Sequence, residues 1–289
     1  MSDLDYYPLV LKAFRAAAGL SDAGEAEVGE ALKQLQPALD RLRRNFKDSV
    51  VNPGYSGQVA CAYLLASIPG FIVQSRMAFE FAHVDTMEPP PGRVGLFCCG
   101  ACPEAVALVE ILKEQHRLPT GGLRLDLFDI AHSGWKSVRR ALLEAGCSQS
   151  QDDSLLRKVE IHDFSIHQAL GESSAEIIGH LDIAMFQNYD NELGSNRVGA
   201  NRTIERIAQL LTPGSKLILS DLGGSYTNHR FLVDVLGRYG SVQRTYSIKG
   251  VRHTKPNQFL SSNLFDRQSP LWLKPKEADT ANFLVLDRT

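Results

Sequence analysis

The chain has no apolar run approaching the ~20 residues that a membrane-spanning helix needs, so no membrane partner is expected. It has little excess charge of either sign. Its 31 Lys and Arg stand against 33 Asp and Glu, a net −2 that argues against a strongly electrostatic nucleic-acid binder. The local basic group Arg41, Arg43, Arg44 and Lys47 reads as the solvated face of a helix. Cysteine is scarce and odd in number. The five are Cys61, Cys98, Cys99, Cys102 and Cys147, with three crowded into one strand and turn, which fits a reducing compartment better than a disulfide framework. Cys99-x-x-Cys102 has no second C-x-x-C and no His at ligand spacing, so it reads as core-filling thiols and no metal is expected. A G-x-S-x-G elbow and a G-x-x-x-x-G-K-[ST] phosphate loop are also missing, which removes serine hydrolysis and P-loop chemistry. The opening MSDLDYYPLVLKAF has no basic segment leading into an apolar one, so no secretion signal and a cytoplasmic location are expected.

What is present is an α/β pattern. At 289 residues, with 44% apolar and 22% charged residues, the chain is long enough for one α/β domain and a substantial helical addition. Arg93 to Glu110, RVGLFCCGACPEAVALVE, reads as strand, tight turn and helix, which puts backbone N–H groups and a helix N-terminus at the carboxyl edge of a parallel sheet. Most glycines of a G-x-G-x-G loop are absent: with Gly100 at the first place, Cys102 and Glu104 take the other two. About thirty residues on, the interval of one βαβ unit, Leu123 to Phe128 forms a strand ending at Asp129. Val159 to His162 is a third strand, followed by Asp163 and Phe164. Leu181 to Phe186 is a fourth, with Gln187, Asn188 and Tyr189 at its end. Leu211 to Asp221 reads as a helix end, a Pro-Gly turn and a fifth strand.

These five strand ends, in this order, resemble those of the class I S-adenosylmethionine (SAM) methyltransferases. The resemblance implies a doubly wound, Rossmann-like α/β fold whose seven-stranded sheet has an antiparallel last strand. It implies SAM as the methyl donor and S-adenosylhomocysteine as its product. Gly100, Ala101 and Cys102 would form the cofactor loop, Asp129 would accept from the ribose hydroxyls, and Asp163 with Phe164 would meet the adenine. Glu104 suits the dipole of its own helix and is alternatively a partner for the methionine amino group. Gln187, Asn188 and Tyr189 would face the place where cofactor and acceptor meet. Tyr189, Asn188 and Tyr55 are the candidate catalytic residues. A general base would come from His229, His253, Asp190, Glu192 or Tyr55, none of which has a diagnostic neighbour in sequence.

The remainder frames this core. Tyr6–Ala18 and Glu25–Phe46 have helical periodicity, with Ser21 and Asp22 as a cap between them, and Gln58–Phe81 carries one or two helices punctuated at Pro69-Gly70. Glu88 to Gly92 is an extended linker. Residues 1–87 are therefore expected as a helical cap, and 88–289 as the SAM-binding domain. Gly54 to Phe81 is similar to the approach segment of methyltransferases related to the mitochondrial small-subunit ribosomal assembly factor, and informs architecture only. Ser225–Tyr239 reads as a helix, Ser241–Ile248 and Ala281–Leu286 as strands, and Lys249–Thr280 as an insertion over the acceptor site. The expected activity is methyl transfer to an O or N atom of a small-molecule acceptor, in a chain able to form a homodimer through its N-terminal helices. Two alternatives are a SAM-consuming lyase, cyclase or aminobutanoyl transferase that releases methylthioadenosine, and a degenerate methyltransferase fold serving ribosome assembly or RNA binding.

Overall fold

Val94–Phe97 and Ile183–Gln187 are buried at every position, as parallel strands covered on both faces must be. The computed structural model describes residues 6–47, 55, 57–130, 132–147, 156–189, 197–222, 226–248, 273 and 281–289. In it these segments are β1 (Arg93–Phe97) and β4 (Ile183–Gln187), adjacent strands of a seven-stranded sheet. The other strands are β2 (Leu123–Asp129), β3 (Leu156–Asp163), β5 (Lys216–Leu222), β6 (Gly240–Ile248) and β7 (Ala281–Arg288). Their order is β3-β2-β1-β4-β5-β7-β6. The first five run parallel, and β7 is antiparallel to both β5 and β6. The doubly wound sheet with its antiparallel last strand is the expected fold class. Strand order reverses between β1 and β4, which opens a crevice at their carboxyl ends.

One face carries α6 (Pro103–Glu114) and α7 (His132–Cys147), and the other carries α8 (Glu172–Ile178), α9 (Arg197–Leu210) and α10 (Tyr226–Leu236). Five N-terminal helices join the first face: α1 (Tyr7–Ala17), α2 (Glu25–Gln34), α3 (Gln36–Lys47), α4 (Gly57–Ala66) and α5 (Ile68–Phe81). Helix α5 lies against α6, β5 and β7, with the Phe81 ring 6.1 Å from that of Phe283. Helix α1 packs on α7 and buries Tyr7, Val10, Ala13 and Phe14. One continuous apolar cluster therefore contains residues of α1, α4 and α5 together with those of α6, α7 and the sheet. At its rim the Tyr6 hydroxyl donates to Glu110 at 2.5 Å, and Arg76 pairs with Glu80 and Glu114.

Local boundaries differ from expectation at three places. The helix expected over Glu25–Phe46 is two helices meeting at Leu35. Its start is capped by Gly24, whose N–H donates to Glu27 at 3.1 Å, and not by Ser21 and Asp22. The break in Gln58–Phe81 falls at Ser67, and Pro69 sits in the first turn of α5, where its missing N–H has no helical partner to lose. Strand β3 is longer than expected because it lies at the sheet edge and most of its side chains are exposed or half-buried, which blurs the apolar signal.

Candidate functional site

The loop after β1 keeps the conformation that glycines usually supply while carrying cysteines. Cys98, Gly100 and Cys102 all have left-handed φ, at 55°, 50° and 65°. Each non-glycine residue held there costs roughly 1–2 kcal/mol. These three positions have the spacing of the glycine loop, two residues earlier than an alignment begun at Gly100. Glu104 accordingly belongs to the first turn of α6 and not to the loop. The Cys98 N–H donates to the Phe128 carbonyl at 2.7 Å, extending the β1–β2 ladder, and the Cys102 N–H closes a turn onto the Cys99 carbonyl at 2.7 Å. Gly100 is favoured by its left-handed φ, and little space is left for a side chain, since a Cβ there would lie 3.3 Å from the Trp135 ring.

Charged groups lock this loop. The Gly100 N–H donates to Asp129 Oδ2 at 2.7 Å, and Arg139 Nε of α7 donates to the Gly100 carbonyl at 2.8 Å. The Arg139 guanidinium also lies 3.9 Å from Asp129. Asp129 and Arg139 are 5% and 2% exposed, and the two terminal nitrogens of Arg139 make no hydrogen bond. Cys102 forms the N-cap of α6, and Cys99 and Glu104 are buried beside it. Burial opposes ionisation of the Cys102 thiol, but the hydrogen bond from Cys99 and the charge of Arg139 hold it below the usual thiol range. Burial pushes the Cys99 thiol well up, and the contact with Cys102 adds to this. Burial likewise raises Glu104 far above the ordinary carboxylate range, helped by Cys102 and Asp129, and one of its oxygens lacks a hydrogen-bond partner.

Aromatic rings flank the loop on the α7 side. Tyr55 stacks on Trp135 at 4.5 Å, Tyr63 meets Trp135 edge-on at 5.2 Å, and Phe71 lies 5.9 Å from Tyr63. At the end of β2, Ile130 is 64% exposed, and the pairing of Asp129 with Asp163 brings the exposed Asp163 alongside. Phe164 turns away into the opposite core. It meets Phe97 edge-on at 5.2 Å beneath a row in which Phe97 stacks on Phe128 at 4.4 Å and on Phe186 at 4.7 Å.

The ends of β4 and β5 carry neutral polar groups and one buried carboxyl group, Asp221. Gln187 accepts from Ser75 Oγ at 2.9 Å and donates to the Phe71 carbonyl at 2.9 Å, so both ends of its amide are engaged by α5. Gln74 Nε2 donates to Asn188 at 3.1 Å and to Ser220 at 2.8 Å. Asn188 has a left-handed φ of 56°, which throws Tyr189 to the other face, where its ring packs on Phe186 and lies parallel to His229. His229 pairs with the buried Asp221. Gly100, Ala101, Cys102 and Asp129 thus come together, whereas Asn188, held by Gln74, and Tyr189, packed on Phe186, turn to opposite faces of the sheet. Tyr55 belongs to the core cluster on the other side of the sheet from Tyr189 and does not join it. Asp190, Glu192, His253 and, apart from the buried Leu273, the 249–280 insertion lie outside the described residues. Sequence reasoning missed Gln74, Ser75, Trp135 and Arg139, each distant in sequence from the strand end it serves. For Arg139 the only signal was a basic residue amid the apolar pattern of α7.

Asp126, Glu160 and His162 offer ligand atoms within 4.8 Å of one another. Asp126, however, already accepts from Arg93 at 2.7 Å and from His162 at 2.9 Å, and Arg124 pairs with Glu160, so the cluster is an ion-pair ladder across β1–β3.

No family model and no curated protein matches the sequence. Among solved structures the chain is similar to the citrinin polyketide synthase CMeT domain, at 12% identity and a TM-score of 0.51 over 91% of this chain and 68% of that one. Precorrin-6y C5,15-methyltransferase from Geobacter metallireducens shares 8% identity over 76% of this chain and 89% of that one, at a TM-score of 0.44. N-methyltransferase NodS from Bradyrhizobium japonicum, solved in complex with S-adenosyl-L-homocysteine, shares 9% over 77% and 88%, at 0.40. Identities this low speak for fold alone. With its strand order, its antiparallel last strand and the turn after β1, the chain has the fold of the class I SAM-dependent methyltransferases.

Proposed function

We propose that the chain is a SAM-dependent methyltransferase acting on an O or N atom of a small molecule. The observation that carries this reading is the loop after β1, which keeps three left-handed residues at glycine-loop spacing and is tied through Gly100 to Asp129 at the end of β2. That arrangement puts the N-terminus of α6 at the carboxyl end of β1, beside the crevice. Asp129 suits a ribose hydroxyl pair, and the exposed Ile130 beside Asp163 suits a purine with an amino group. Bound there, SAM would supply an activated methyl group on a sulfonium. The chain's own residues then have to position the acceptor, exclude water and remove a proton. A small acceptor is favoured over nucleic acid by the net charge of −2.

Calorimetry with SAM and S-adenosylhomocysteine tests the reading. Saturable binding of both is expected, weakened at least ~10-fold by Asp129→Ala, the loss of a paired hydrogen bond to the ligand. No binding of either nucleoside would sink the proposal. Methylthioadenosine in place of S-adenosylhomocysteine among the products of incubation with a cell extract would move the activity to a SAM-consuming lyase.

A further inference from the structure

Two of the three left-handed positions in the loop after β1 carry cysteine, where glycine would sit without strain, and at Cys102 the side chain has a use that glycine lacks. Cys102 is the N-cap of α6, and its N–H donates to the Cys99 carbonyl at 2.7 Å. A turn closed in this way brings its end α-carbons within ~7 Å, and a disulfide needs them ~4.4–6.8 Å apart. The two side chains are already in contact, the Cys99 thiol donating to the Cys102 sulfur.

The Arg139 guanidinium shows which sulfur carries charge. Arg139 is 2% exposed, and neither of its terminal nitrogens has an aligned hydrogen-bond partner. Asp129, 3.9 Å away, is also engaged by the Gly100 N–H. Cys102 Sγ lies 4.0 Å from the Gly100 carbonyl oxygen, the same atom to which Arg139 Nε donates at 2.8 Å. Sulfur and guanidinium therefore share one corner of the loop. A buried cation favours an anion beside it, and a helix N-terminus next to an arginine is a setting that stabilises a thiolate. Burial alone does the reverse, as at Cys61, where it pushes the thiol up to about 11.

We propose that Cys99 and Cys102 are a dithiol–disulfide couple built into the loop, oxidised by hydrogen peroxide, with Cys102 the attacking sulfur and Cys99 the resolving one. The inference does not depend on the methyltransferase reading. The Cys102 thiolate attacks one peroxide oxygen, an S–O bond forms, and the O–O bond breaks. This leaves a sulfenic acid and a hydroxide that takes up a proton to become water. The Cys99 sulfur then attacks the Cys102 sulfur, the S–S bond forms, and the departing hydroxide leaves with the Cys99 proton as a second water. Two electrons pass from the two sulfurs to the peroxide. Cys99 and Cys102 are 3% and 0% exposed, so the oxidant has to be close to water in size, as hydrogen peroxide is. The disulfide carries no charge, so oxidation removes the anion beside the cation that clamps Gly100.

Mass spectrometry of the full chain tests this. After hydrogen peroxide, the tryptic peptide 94–113 is expected to lose two hydrogens, to regain them with dithiothreitol, and to fragment as a Cys99–Cys102 link. Three free thiols in that peptide, or a link through Cys98, overturns the proposal. The oxidation rate is expected to reach half its maximum at least about one pH unit below the ~8.5 of an ordinary cysteine. A midpoint at or above that value overturns the assignment of Cys102 as the attacking thiolate. In Cys99→Ser, dimedone is expected to trap a sulfenic acid on Cys102 at least ~10-fold faster than it traps Cys99 in Cys102→Ser. The reverse order also overturns the assignment. The first two measurements use the wild-type chain and stand whether or not the variants fold, and an absence of SAM binding bears on the methyltransferase reading alone.

Discussion

The two halves of the sheet's carboxyl edge are built from opposite materials. At the ends of β1 and β2 the chain uses fixed charge and strained backbone: Asp129 and Arg139 clamp a loop whose left-handed residues are largely cysteines. At the ends of β4 and β5 it uses mostly amides and a hydroxyl, from Gln74, Gln187, Asn188 and Ser220, together with one buried Asp221–His229 pair. Their supports differ too. The first half is braced by α7, the next helix but one in the chain, whereas the second is braced by α5, more than a hundred residues away from its strand ends.

Removing the cation from the first half should have the largest effect. Arg139→Met leaves Asp129 buried without its compensating charge, with an expected loss of about 3–5 kcal/mol in urea unfolding. A loss below about 1 kcal/mol would mean that charge does not hold the loop and the contrast between the halves fails. In the second half, Gln187→Leu and Ser75→Ala should each cost about 1–2 kcal/mol. The double variant should cost less than their sum, because both changes break the same hydrogen bond. Strict additivity would disconnect α5 from β4.

A finer test concerns backbone strain. Cys98→Gly should change stability by no more than about 1 kcal/mol, since relief of the left-handed φ offsets the lost thiol contacts, whereas the β-branched Cys98→Val should destabilise by about 2 kcal/mol. Equal effects of the two in thermal melts would show that the loop relaxes away from this conformation. The smallest change is one of slope. Burial raises Glu104 above its unfolded carboxylate value, so the folded chain retains a proton that the unfolded chain has released. Stability from this group is complete below the ordinary carboxylate range and declines as pH rises through it toward the raised value. Glu104→Gln, neutral throughout, should remove that decline in melts recorded from acid to mildly alkaline pH. An unchanged slope would mean that Glu104 ionises freely.

Much of the fold was legible in the chain itself because strand and turn signals are local. Leu123 to Asp129 reads as a strand from its apolar run and ends where expected, and the Pro213-Gly214 turn leads directly into β5. Gly100, Asp129, Asp163 and Asn188 lie after strand ends, where the sequence pattern puts them. The candidate site was not legible where backbone conformation or a distant partner decides. Nothing in Cys98 or Cys102 announces a left-handed φ, so the loop was aligned two residues late. Gln187 was expected at the cofactor, yet its amide is engaged by Ser75 and the Phe71 carbonyl.

The sequence by itself thus determined the succession of strands and helices, the acidic strand ends and the doubly wound class, because periodicity and turn chemistry act over a few residues. Only the tertiary structure decided that α5 would brace β4 and β5, that Arg139 would clamp the loop, and that Asp221 would pair with His229. Those pairings depend on burying polar groups against partners that the chain brings together only when the sheet closes beneath them.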